Sequence, residues 1–201
     1  MASFDQDTVR STFVVGLRNA HAVENEALAL IDRQLDRLKN YDEVADQLRR
    51  HRGETEQQIH RLDEILSSLD ESHSALKDVA LSIGGNLAAL GHTIAGDEIL
   101  KNTFANFAFE NFEAASYRSL ITVAEAGSFS AAVPLLQTTL KEELAMAAWL
   151  EEHVPAITTK YLTLSSQGEK ADRCTKLEAS EARKTATLPV SSGSPMRPSG
   201  T

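Results

Sequence analysis

Four stretches of the chain carry apolar residues at alternating steps of three and four, and the segments between them are unequal in length. The first stripe runs Leu17, Ala20, Glu24, Leu28, Ile31, Leu35, Leu38 and predicts a long amphipathic helix from about Asp7 to Asn40. After the short break "NYDEV", a second helix presents Val44, Leu48, His51, Glu54, Gln58, Leu62 and Ile65 on one face. A third is expected from about Asp97, a suitable N-cap, to Glu125. The turn "AGSFS" separates it from a fourth, capped by Ser130 and continuing to about Leu164, with the stripe Leu136, Leu140, Glu143, Ala147, Leu150, Val154. Pro134 fits the first turn of that helix, where a missing N–H is tolerated, whereas Pro155 is expected to kink or break it near His153. Gly53, inside the second helix, costs about 1 kcal/mol relative to alanine and is expected to mark a close contact.

The second and third helices are joined differently. "ALKDVALSIGGNLAALGHTIAGD" has helical pieces interrupted by Gly84, Gly85, Gly91 and Gly96, and reads as a long, partly helical crossover. Two short-looped helical hairpins joined by one long connection define an all-α, ferritin-like four-helix bundle. Composition agrees: Ala, Leu and Glu are abundant and aromatics make up only 5%, a profile that favours helix over sheet. Residues 1–165 form the expected bundle. From Ser166 to Thr201 the chain is polar, rich in Ser and Thr and without apolar period, and is expected to be a disordered tail.

Charge and cysteine usage narrow the function. A net charge of −9 argues against nucleic acid or an anionic membrane as partner. No run approaches the roughly 18–20 apolar residues of a membrane span, and "MASFDQDTVRS" lacks the pattern of a signal peptide. The single cysteine, Cys174, excludes an internal disulfide and a cysteine-based metal cluster. A cytoplasmic protein is the expectation.

The chemistry is carried by acids on the apolar stripes. "FAFENFEAASY" (107–117) places Glu110 and Glu113 three apart on a helix whose phenylalanines and alanines predict burial over most of its surface. Glu24, Glu54 and Glu143 occupy the stripes of the other three helices. At 1.5 Å per residue all five stand roughly 21–26 Å from the turn of their own hairpin, so they can meet in one layer. Carboxylates gathered in a core repel one another and take up protons unless cations are present. His51, one turn before Glu54, adds an imidazole, and Gln58, one turn after it, offers an amide oxygen. Carboxylates with a little imidazole suit iron or manganese. The expected metal ligands are Glu24, His51, Glu54, Glu110, Glu113 and Glu143, with Glu142 competing with Glu143 and Gln58 with His51. The expected cofactor is two Fe ions, or Mn in their place. Tyr117 is placed to hydrogen-bond a ligand carboxylate. Phe104, Phe107, Phe109 and Phe112 are expected in the core, while Glu56, Glu64, Glu142 and Glu151 should hold their heads in solvent.

"HAVENEALAL", "HRGETEQQIHRLDEIL", "FENFEAASYRSL" and "LKEELAMAAWL" resemble the YciE/YciF family of bacterial stress-associated, ferritin-like proteins, from about Phe13 to Leu164. The resemblance implies a rubrerythrin-like di-iron bundle, a homodimer, and a ferroxidase role without an assigned reaction. By position, Glu24, Glu54, Glu110, Glu113 and Glu143 match the family's acids. The chain departs from the common Glu-x-x-His pattern of di-iron bundles: Gln57 lies three residues past Glu54, and Met146 three past Glu143. Two functional readings follow. One is a di-iron or di-manganese protein reacting with dioxygen or peroxide, as a ferroxidase or peroxide scavenger. The other is a non-catalytic helical oligomerisation or interaction protein, in which the acids pair with Arg18, Arg61 or Arg118.

Overall fold

The structure, a computed structural model, describes residues 4–72 and 98–169. Four helices account for nearly all of them: α1 (Gln6–Leu35), α2 (Asp42–Ser68), α3 (Glu98–Ala126) and α4 (Ala132–Ser166). α1 packs against α2 and α3, and α4 against α3 and α2. The class and hairpin order are those read from the stripes.

Two apolar clusters cap the bundle and fix the direction of each helix. One joins Phe13 and Leu17 of α1 to Leu62 and Leu66 of α2, Leu120 and Ala124 of α3, and Leu136 of α4. The other joins Ile31 of α1 to Val44 and Leu48 of α2, Ile99 of α3, and Leu150 and Ile157 of α4. α1 and α4 therefore run one way, and α2 and α3 the other. α2 ends and α3 begins at opposite ends of the bundle, as a single long crossover requires. The crossover (73–97), the Asp97 cap and the tail beyond residue 169 lie outside the described residues.

Several local expectations are corrected. α1 stops at Leu35, not near Asn40, because Arg37 and Leu38 both turn back to donate to the Gln34 carbonyl. Leu38 keeps the apolar period but packs on the core from a turn. The N-cap of α1 is Asp5, whose carboxylate accepts the Thr8 N–H at 2.9 Å. Ser130 does not cap α4. The cap position is Ala131, with no side-chain hydrogen bond, and the turn is instead fixed by Phe129, whose ring stacks on Phe13 at 4.8 Å. Gly127 makes room for that ring, since a Cβ there would come within 2.3 Å of it.

α4 continues unbroken through Pro155. The proline is exposed, as is Glu151, whose carbonyl the proline cannot bond, so that carbonyl turns to water at little cost. Gly53 marks no close contact, for nothing lies within 4 Å of where its Cβ would stand. Of the four phenylalanines of α3 only Phe109 is buried, while Phe104 is 52% and Phe112 43% exposed. Polar and apolar residues are spread around that helix, with Glu110 and Glu113 inside and Phe104 and Phe112 outside, so its outer face cannot be told from its inner face by period.

Candidate metal centre

Between the two apolar clusters lies a layer that is polar and yet buried. Glu24, His51, Thr55, Gln58, Glu110, Glu113 and Glu143 are all at most 5% exposed. The steps along α2 show how the sequence builds it: His51, Thr55, Gln58 and Leu62 follow at four, three and four, and all face inward. Glu54 falls beside this line rather than on it. Its side chain is 43% exposed, and its carboxylate Oε2 lies 3.1 Å from His51 Nδ1. Of the six expected ligands, then, five meet in the core, and Glu54 reaches the layer through the imidazole.

His51 is gripped on both ring nitrogens. Nε2 is 3.1 Å from Glu110 Oε2 and 3.8 Å from Glu143 Oε2. His51, Glu110 and Glu143 offer ligand atoms that lie within 4.8 Å of one another, close enough to share a cation. Across the layer Tyr117 donates to Glu24 Oε1 at 2.5 Å, the role its position suggested. Both oxygens of Glu113, both of Glu143, and Oε1 of Gln58 have no hydrogen-bond donor among the described residues. Orphaned buried acceptors in this number are unusual in a native core.

The electrostatics follow from that shortage of donors. Burial pushes Glu24 up to about 8, against the opposing pull of the Tyr117 hydroxyl and the His51 charge. Glu143 is pushed up to about 11 by burial and by the neighbouring charges of Glu24 and Glu110. Glu113 is likewise raised well above the carboxylate range by burial, then by Glu24, Glu143 and Glu110. Burial opposes the charging of His51, but Glu110, Glu54 and Glu143 outweigh it and hold the imidazole well above its ordinary value. Titratable groups perturbed together in one place mark a functional site more often than a structural one.

The arginines named as alternative partners are engaged elsewhere or face solvent. Arg18 pairs with Glu71 at 2.8 Å and donates to the Ser72 carbonyl. Arg118 is exposed. Arg61 pairs with Glu142 and also donates to Thr139 Oγ1 at 3.0 Å, while Gln58 Nε2 donates to Glu142 Oε2 at 3.1 Å. Glu142 is thus drawn into the α2–α4 seam rather than held in solvent. Glu56 pairs with Arg52 at the surface, as expected of it. Thr55 is the one member of the buried layer not expected from the stripes, and Arg61 and Glu142 pair with each other beside it. The only signal for Thr55 was the four-residue step from His51.

The sequence profile of a family described as a domain of unknown function, DUF892, matches residues 8–163. The chain belongs to the DUF892 family. Three solved structures share the fold of this DUF892 chain. A protein from Xanthomonas campestris pv. campestris is 27% identical with a TM-score of 0.66, over 79% of this chain and 99% of its own. The E. coli stress protein YciF is 23% identical with a TM-score of 0.63, over 73% and 94%. YcfI from Rhodopseudomonas palustris is 23% identical with a TM-score of 0.59, over 75% and 98%. The resemblance to the YciE/YciF family is borne out, and with it the all-α bundle. No helix among the described residues of this DUF892 protein is long and apolar enough to cross a membrane.

Tyr117→Phe tests the hydrogen bonding of the layer directly. Losing the hydroxyl leaves a Glu24 oxygen without its donor and is expected to cost about 1–3 kcal/mol in urea unfolding at neutral pH. No change would mean that water replaces the tyrosine.

Proposed function

We propose that this protein is a di-iron or di-manganese carboxylate protein that reacts with dioxygen or peroxide. The single observation that carries the reading is the set of buried carboxylates without donors, Glu113 and Glu143 above all. The donor set fits such ions. Glu24, Glu110, Glu113 and Glu143 offer four negative charges when ionised, which two divalent cations balance, and imidazole with carboxylate is the ligand chemistry of iron and manganese. When bound, two such ions supply paired one-electron redox steps at adjacent centres.

The chain's own residues have distinct tasks in this reading. Glu54, on Nδ1 of His51, orients the ring so that Nε2 points into the layer, the usual way a ligating histidine is held. Tyr117 keeps one Glu24 oxygen bonded, so the other is the free donor. Gln58 is held through its amide nitrogen by Glu142, which leaves its oxygen aimed inward. The exposed Phe104 gives the oligomerisation reading its own support, because a second copy covering it would make the homodimer that the resemblance implies. Oligomerisation as such is compatible with a metal centre, whereas a non-catalytic protein whose acids are paired with arginines is not. A cytoplasmic, stress-related role belongs to the same proposal.

Elemental analysis of protein produced with added iron or manganese tests the reading, with about two metals per chain expected. His51→Ala should keep its helical circular dichroism while binding metal at least tenfold more weakly. In the metal-free state it should lose on the order of 3 kcal/mol, because Glu110 is stranded without its counter-charge. A parent that carries no metal under any of these conditions would end the proposal.

A further inference from the structure

We propose that the groove between α1 and α3 is the route by which small uncharged molecules, of the size of hydrogen peroxide or dioxygen, reach the buried carboxylates. A cavity of about 250 Å³ lies in this seam, and Glu24, Glu113 and Tyr117 are among the residues that line it. A water molecule takes up about 30 Å³ of liquid, so the groove has room for several waters or one small solute. Glu113, only 2% exposed, contributes two carboxylate oxygens that no described residue donates to. Higher in the groove the Asn19 Oδ1 is also buried without a donor. These are polar atoms placed along a path, and water or hydrogen peroxide passing through would hydrogen-bond each in turn, while dioxygen needs only the room.

The walls favour neutral species. Among the described residues, Glu24 and Glu113 are the only charged ones that line the groove; hydroxyls of Thr12, Ser116 and Ser119 alternate with apolar surface. Gly16 narrows the seam, since it lets Leu120 approach to where a Cβ would stand only 2.7 Å away. Among the described residues the opposite seam is bridged. Between α2 and α4 the Arg61–Glu142 ion pair, tied to Thr139 and Gln58, lies across the layer with both side chains largely covered.

The route rests on the di-metal reading only for why such molecules would travel, so it is tested without metal. In a Cys174→Ser background, Glu113→Cys puts a thiol at the base of the groove. Its labelling by methyl methanethiosulfonate, a small neutral reagent, is timed in the folded full-length protein. Adding Ser116→Phe should slow labelling at least tenfold, whereas adding Arg61→Ala should change it less than twofold. A sulfonate-bearing methanethiosulfonate should react at least tenfold more slowly than the neutral one. Glu24→Cys, on the facing helix, should show the same pattern and serves if Glu113→Cys fails to fold. Unchanged labelling with Ser116→Phe, a tenfold acceleration by Arg61→Ala, or equal rates for both reagents would each overturn the route. If the labelling pattern holds but the parent never takes up metal, the functional reading fails and the route stands.

Discussion

A Glu113→Gln, Glu143→Gln double variant, freed of metal at pH 8, is expected to be more stable than the metal-free parent by several kcal/mol. In the unfolded chain both glutamates give up their protons near pH 4.5. In the folded chain burial and mutual repulsion hold Glu143 at about 11 and Glu113 well above its ordinary value. Each therefore destabilises the folded state by about 1.4 kcal/mol for every pH unit above the unfolded value, until its folded value is reached. Glutamine keeps the volume and cannot ionise. Part of the gain is offset, because the protonated Glu143 carboxyl hydrogen-bonds Glu110 and a buried amide that loses a partner costs about 1–3 kcal/mol. With saturating Mn(II) the gap should narrow: the parent gains about 4 kcal/mol at a thousandfold excess over Kd, and the variant gains nothing. Urea unfolding of both proteins with and without metal reads this out. If the acids were instead paired with buried cations, the double variant would lose about 3–5 kcal/mol, and that result would sink the di-metal reading.

The second large effect is the dependence of stability on pH. Glu24, Glu113 and Glu143 all have folded values above their unfolded ones. Above about pH 4.5 the folded state thus binds more protons than the unfolded state, and stability falls as pH rises. Glu24 contributes to this fall up to about pH 8, and Glu143 continues to about pH 11. His51 acts in the same sense: its folded value is raised, so its stabilising charge is lost as pH climbs through that value. Metal binding requires the deprotonated carboxylates, so it releases protons and strengthens with pH. The metal-free melting temperature should drop steadily from pH 6 to 9. The shift produced by Mn(II) under argon should grow between pH 6 and 8. A metal-free protein that becomes more stable across that range would show that the buried acids are already ionised and paired.

Much of the site could be read because helix period and helix rise act through the backbone alone. Glu24, His51 and Glu143 lie on stripes whose spacing fixes both face and height, helix rise sets the height of Glu110 and Glu113, and the structure brings all five into one layer. Glu54 misled for a specific reason. It sits at the border of the inward arc of α2, and a three-residue step from His51 satisfies the period as well as the four-residue step to Thr55. Which of the two turns inward depends on how α2 is rotated against α1 and α4. The phenylalanines of α3 misled in the opposite way: a helix with buried acids and exposed phenylalanines has no apolar stripe to say which face is inside. Pro155 was read as a break because its effect inside a helix is usually costly, yet at an exposed position the freed carbonyl meets water and the helix runs on.

By itself, then, the sequence determined four helices, their order in two hairpins, and a band of acids at one height, since these follow from periods and lengths along single helices. Only the tertiary structure decided which donors the acids would meet. Arg18 lies at the α2 end beside Glu71, and Arg61 lies across the α2–α4 seam with Glu142. Glu113 and Glu143 are left with no donor among the described residues. That outcome depends on the rotation and approach of packed helices, a property no single stripe contains, and it turns a row of glutamates into a site that calls for cations.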